Sequence, residues 1–90
     1  MKITTKFVVC QWEDITSFEG WRYIKEEKFE NVRPITTGFL ISYDKDYLVL
    51  CQTLCDDGVG NNIFKIPTGN IMWVETLVGG KWRTLKKEKK

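Results

Sequence analysis

Apolar and polar residues along this chain alternate with a period close to two over most of its length, which is the spacing of strands with two distinct faces. The pattern is clearest in the run Thr36–Leu77. Within it, Gly38–Tyr43 and Tyr47–Thr53 are β-branched, aromatic and aliphatic segments separated by Asp44-Lys45-Asp46, a connection of hairpin length. The loop Asp56-Asp57-Gly58-Val59-Gly60-Asn61-Asn62 follows, and then Ile63–Ile66 and Ile71–Leu77 flank the break Pro67-Thr68-Gly69-Asn70. Pro67 has no N–H to give to a ladder, so it marks the boundary between two strands. The spacing predicts a four-stranded meander in which Phe39, Ile41 and Tyr43 share one face, and Leu48 and Leu50 lie opposite Tyr47, Val49 and Cys51. Upstream, Ile3–Trp12 alternates imperfectly and reads as a first strand with Lys6, Val8 and Cys10 on one side and Thr5, Phe7 and Val9 on the other.

Between the first strand and Pro34 the period changes. Trp21, Ile24 and Lys28 or Phe29 fall three to four residues apart, and Ser17 stands where a helix N-cap would, predicting a short helix from about Phe18 to Phe29. Pro34 disfavours helical geometry in its predecessor and closes that segment. The expected architecture is mainly β (α+β): a small five-stranded, strongly bent antiparallel sheet or barrel with one short helix between strands 1 and 2. Residues 1–80 form a single domain on this reading. Residues 81–90 are a basic tail in which Trp82 and Leu85 either add a short return strand or tether the chain.

Composition narrows the class without naming a function. Ninety residues with 42% apolar content and twelve aromatics describe a globular domain with a small core. No run approaches the roughly eighteen apolar residues of a membrane span, and Met1–Lys6 leads directly into strand-like sequence, so a cytoplasmic protein without a membrane partner is expected. Cys10, Cys51 and Cys55 lack paired metal-ligand spacing and the chain has no histidine, which points to three reduced thiols and no Cys/His metal cluster. Residues 81–90 hold six basic residues against Glu88, whereas residues 1–80 hold eight basic and eleven acidic ones. An acidic body argues against a broad phosphate-binding face.

The side chains offer little for catalysis. Asp44/Asp46 and Asp56/Asp57 sit in turns where carboxylates are ordinarily solvated, and Asp56, Asp57, Asn61 and Asn62 lack the spacing of a calcium loop. With no histidine and no glycine-rich phosphate loop, a non-enzyme without a cofactor is expected. The aromatics invite a binding role instead, since flat rings stack on bases and an arginine pairs with phosphate. The candidate ligand-binding residues are Trp12, Asp14, Ser17, Trp21, Arg22, Tyr43, Tyr47 and Asp57. Asp14 and Ser17 suit hydroxyl or amino groups of a ligand, and equally suit capping the predicted helix.

Two resemblances add to this reading. The series Thr37-Gly38-Phe39-Leu40-Ile41, Asp44, Asp46-Tyr47-Leu48-Val49-Leu50, then Ile66-Pro67, Gly69 and Ile71, resembles uncharacterised small proteins encoded by phages and prophages. Val9, Gln11-Trp12, Asp14-Ile15, Ser17, Gly20-Trp21, and downstream Thr53 and Asp56-Asp57-Gly58, fit the same pattern. The order of elements is also similar to Sm-like RNA-binding barrels, although the first strand here precedes the expected helix and Thr68-Gly69-Asn70 stands where those proteins carry basic residues. The phage-type resemblance implies a non-catalytic protein in the cytoplasm of a host bacterium. On that view it sequesters a small nucleotide-like host defence signal in a pocket shared between subunits of a homo-oligomer. The alternatives are a protein-interaction module that inhibits or adapts a host or virion protein, and RNA binding through the basic tail, which leaves nucleic acid an open partner.

Overall fold

The computed structural model describes residues 5–15, 20–25 and 28–88. Six strands, β1 (Phe7–Trp12), β2 (Ile35–Tyr43), β3 (Tyr47–Leu54), β4 (Gly60–Pro67), β5 (Ile71–Val78) and β6 (Lys81–Thr84), form one antiparallel sheet in the order β4-β3-β2-β1-β5-β6. A single 3₁₀ turn, Thr68–Asn70, joins β4 to β5. The architecture corrects the expectation in three respects: there are six strands instead of five, the sheet is open and not closed into a barrel, and the described residues contain no α-helix. Gly20 has φ of +92°, a left-handed value that interrupts a right-handed helix, and the far part of the connector is drawn into extended pairing with residues 12–14. Those two features outweigh the helical spacing of Trp21, Ile24 and Phe29. Ser17, the expected cap, lies outside the described residues.

The strands follow from turn chemistry. Asp44 Oδ1 accepts from the N–H groups of Asp46 and Tyr47, an Asx turn that reverses the chain between β2 and β3. Gly79 and Gly80, at φ +56° and +78°, supply the left-handed turn from β5 to β6. The link from β4 to β5 shapes the whole sheet. These strands are separated by β3, β2 and β1, about 19 Å in a flat sheet, yet three 3₁₀ residues advance only about 2 Å each. The sheet therefore curls. Thr68 N–H donates to Asp46 O and Glu13 N–H to Asn70 O, so the short link touches both the β2–β3 hairpin and the end of β1. A register shift between Leu40 and Ser42 and the missing side chain of Gly38 let β2 bend; a Cβ at Gly38 would stand 2.9 Å from the Cys51 carbonyl oxygen. No ladder joins β4 to β5 or β6 among the described residues, which leaves the curl unclosed.

The core fills the concave side. Val8, Cys10, Tyr43, Leu48, Leu50, Ile66 and Val74 are buried there, with Trp12, Leu40, Phe64 and Ile71 packed around them. Leu85, just past β6, joins them at 8% exposure; its N–H donates to Val74 O, and Glu88 N–H donates to Tyr43 O. Residues 85–88 thus strap the open side of the curl from β5 to β2. The register shift in β2 also overturns the expected facing of Tyr43. Phe39 and Ile41 look outward as their alternation requires, but the extra residue turns Tyr43 inward opposite Leu48.

Candidate functional site

The connector between β1 and β2 differs from the strands in its exposure. Every described residue from Asp14 to Arg33 is exposed, including the large apolar side chains of Ile15, Trp21, Tyr23, Ile24, Phe29 and Val32. Its two ends are laddered together: Trp12 N–H donates to Pro34 O, Asp14 N–H to Val32 O, and Gln11 Nε2 to Arg33 O. The root is fixed further by Asn70 Nδ2 donating to Glu13 O and Asn31 Nδ2 donating to Glu13 Oε1 at 2.6 Å. Such pairing prolongs β1 and β2 beyond the sheet; the molecule is long, 56 × 28 × 25 Å, with a radius of gyration of 16.3 Å where a compact 90-residue domain has about 12 Å.

Near the tip, Trp21, Arg22 and Tyr23 line an open cleft of about 350 Å³, and Trp21 is fully exposed. A second, more polar hollow of about 290 Å³ lies nearer the root among Glu13, Phe29, Glu30, Asn31 and Arg33. Aromatic planes beside a guanidinium form a surface suited to planar anions, because the rings stack while the cation pairs with negative oxygens.

Of the eight residues expected to meet in a site, the seven described do not converge. Trp21 and Arg22 stand together at the cleft. Asp14 is exposed at the connector's root, and its backbone N–H is used in the pairing with Val32. Ser17 lies outside the described residues. Trp12 is half-buried at the end of β1, packs on the core and donates its indole N–H to Thr36 Oγ1 at 3.0 Å. Tyr43 is 7% exposed in the core. Burial, and after it the nearby Cys10, push the Tyr43 hydroxyl above the ordinary tyrosine range. Both rings are scaffold. Tyr47 opens β3, paired with Pro67, and has Lys65 Nζ 4.2 Å from its ring centroid. Asp57 Oδ1 accepts from Val59 N–H and holds the β3–β4 turn.

Tyr23 was missed by sequence reasoning although it stands two residues from Trp21, the spacing at which side chains of extended backbone share a side. A helical reading of the segment placed it away from the apolar stripe. The thiols follow their surroundings: Cys10 and Cys51 are buried and Cys55 is exposed. Burial pushes the Cys10 thiol up to about 11, with a backbone hydrogen bond at Thr36 pulling weakly the other way. Among the described residues, no three His, Cys, Asp or Glu side chains are grouped to hold a metal ion. No helix among them is long and apolar enough to cross a membrane.

No family model matches the chain, and neither a curated protein nor a solved structure matches it.

Proposed function

We propose that this protein is a non-catalytic binding module whose recognition element is the projecting connector, and that it takes up a small nucleotide-type ligand at Trp21, Arg22 and Tyr23. The observation that carries the reading is the cleft of about 350 Å³ lined by two aromatic rings and one guanidinium on an otherwise unburied stretch. Stacking on such rings is worth about 1–3 kcal/mol per base, and a charge-assisted pair to phosphate adds to it. The ligand class accords with sequestration of a nucleotide signal, as the phage-type resemblance implies, and requires no catalytic group.

Isothermal titration against a panel of linear and cyclic nucleotides tests this directly. Binding is expected for the wild type and a loss of at least tenfold for Trp21→Ala. Absence of heat and of thermal shift across the whole panel would remove the reading.

A second reading is favoured by a different observation, the apolar outer face of the sheet. On that view the module docks on a protein of the host or virion. Recovery of one stoichiometric partner by the wild type, lost in Ile63→Lys, would support it over the ligand reading.

A further inference from the structure

The strand registers place an apolar row across the convex side of the sheet. Leu77 pairs with Trp82, Phe7 with Phe39, Phe39 with Cys51 and Cys51 with Ile63; Phe7 and Leu77 are neighbours one position beyond the Val8–Thr76 pair. Paired residues share a face, so Trp82, Leu77, Phe7, Phe39, Cys51 and Ile63 form one line through all six strands. The rings of Phe7 and Phe39 meet edge to face at 5.9 Å, and those of Phe7 and Trp82 at 6.4 Å. Trp82, Leu77, Phe7 and Ile63 are all substantially exposed. The core is on the other side; within the row Cys51 is buried and Phe39 half-buried, while the side chains at its two ends stay open among the described residues.

We infer that the row is the docking site for the connector of a second copy of this chain, and that the nucleotide site proposed above is completed there, between Trp21 and Tyr23 of one copy and the Phe7–Trp82 rings of the other. The shape of the surface selects the occupant. A curled sheet presents its outside as a convex surface, and two convex sheets touch only along a narrow line. A slender apolar segment fits such a row, and the chain exposes one. The root of the connector directs it away from the row of its own sheet. The Trp12–Pro34 and Asp14–Val32 bonds carry it outward from the end of β1 marked by the Gln11–Ile35 pair, four register positions away from Phe7–Phe39. Area agrees with a reciprocal exchange. Burying Trp21 and Tyr23, 105% and 82% exposed, removes about 150–250 Å² each. Two connectors would then contribute roughly 600–1,000 Å² from these rings, and with a comparable area covered on the two rows the total reaches the roughly 1,200–2,000 Å² of a specific interface. Each copy offers the same connector and the same row, as a two-fold dimer requires.

The dimer stands on the connector and row alone; only the shared pocket rests on the ligand reading, and the test separates them. Native mass spectrometry at micromolar concentration should give the two-chain mass for the wild type. It should give the one-chain mass for a connector variant, Trp21→Ala with Tyr23→Ala, and for a row variant, Leu77→Lys with Trp82→Glu. An equimolar mixture of the two variants should regain a two-chain species, because one intact connector still meets one intact row. If circular dichroism shows the row variant unfolded, Ile63→Lys, at the exposed far end of the row, takes its place. A photo-crosslinker at position 24 should join the peptide bearing Phe7 or Leu77–Trp82 of the other chain. A monomeric wild type, a mixture that stays monomeric, or crosslinks confined to one chain would overturn the docking. Titration of cyclic di-AMP and AMP into the same samples decides the pocket. Heat from the dimer, absent from both variants, supports it. Full-strength heat from a monomeric row variant places the site within one chain and overturns the sharing, while a silent dimer removes the ligand and leaves the docking standing.

Discussion

The curled sheet and the connector are made from similar residues and arrive at opposite ends of the burial scale. In the sheet, Val8, Leu48, Leu50 and Ile66 are essentially inaccessible because short links fold six strands around them. In the connector, Trp21, Tyr23 and Ile24 are 105%, 82% and 71% exposed with no less apolar character. Apolar content alone therefore does not place a residue inside; it does so only where turns bring a second surface within reach. The sheet's turns do this internally, whereas the connector leaves its apolar surface available to something outside the chain.

The sharpest way to break that contrast is to truncate one residue in each region. Leu50→Ala should cost about 2–5 kcal/mol in chemical denaturation, since it empties a fully buried position, whereas Trp21→Ala should shift the stability of the monomeric fold by no more than about 0.5 kcal/mol. Comparable losses that persist on dilution to the monomer would mean that the connector is packed in solution within one copy.

Alkali should weaken only the sheet. The Cys10 thiol is held at about 11 when folded against 9.0 for an unperturbed thiol. Its contribution is therefore fully present below pH 9.0 and is lost as pH rises towards 11, where the unfolded chain has released a proton that the folded chain retains. Two pH units amount to roughly 2–3 kcal/mol, which a denaturation series from pH 8 to 11 would read. Cys10→Val should reduce that slope, with Tyr43, raised by burial, leaving a fall of the same sign. A slope unchanged in the variant would refute the assignment.

Bending of β2 gives a smaller effect. Gly38→Ala places a methyl 2.9 Å from the Cys51 carbonyl and should destabilise by about 1–3 kcal/mol, measured as a lowered denaturation midpoint. An alanine tolerated without loss would show that β2 can straighten. The least consequence is expected at the rim, where Lys65→Ala removes a cation 4.2 Å from the Tyr47 ring at an exposed pair, worth about 0.5 kcal/mol.

Much of the sheet was legible because its signals are local. Asp44-Lys45-Asp46 marks the hairpin through one side-chain oxygen serving two backbone donors, and Pro67 marks the strand break through a missing one. Burial of Val8, Cys10, Leu48 and Leu50 follows from alternation. What escaped has a non-local cause. Tyr43 turned inward because of one extra residue between Leu40 and Ser42, a count that depends on the partner strand. Trp12 became scaffold because Thr36, twenty-four residues away, accepts its indole N–H. The connector kept a helical spacing that neither Gly20 nor the pairing of its ends permits. That the sheet stays open likewise depends on which strands meet across the curl, which no single segment records. Of the expected site, only Trp21 and Arg22 were placed together, because they are adjacent in the chain.

The central place of β1 carries a kinetic consequence. Strands β2, β3 and β4 are hairpin neighbours and can pair soon after collapse, but β1 must find β2 across a long connector and β5 across more than sixty residues, as in the Val9–Glu75 pair. Closing loops of that length before any contact rewards them makes the docking of β1 the slow event. Until it happens the meander presents a bare β2 edge to its neighbours in solution. The strand that holds the finished sheet together is thus also the one whose late arrival sets the time during which the chain is open to aggregation.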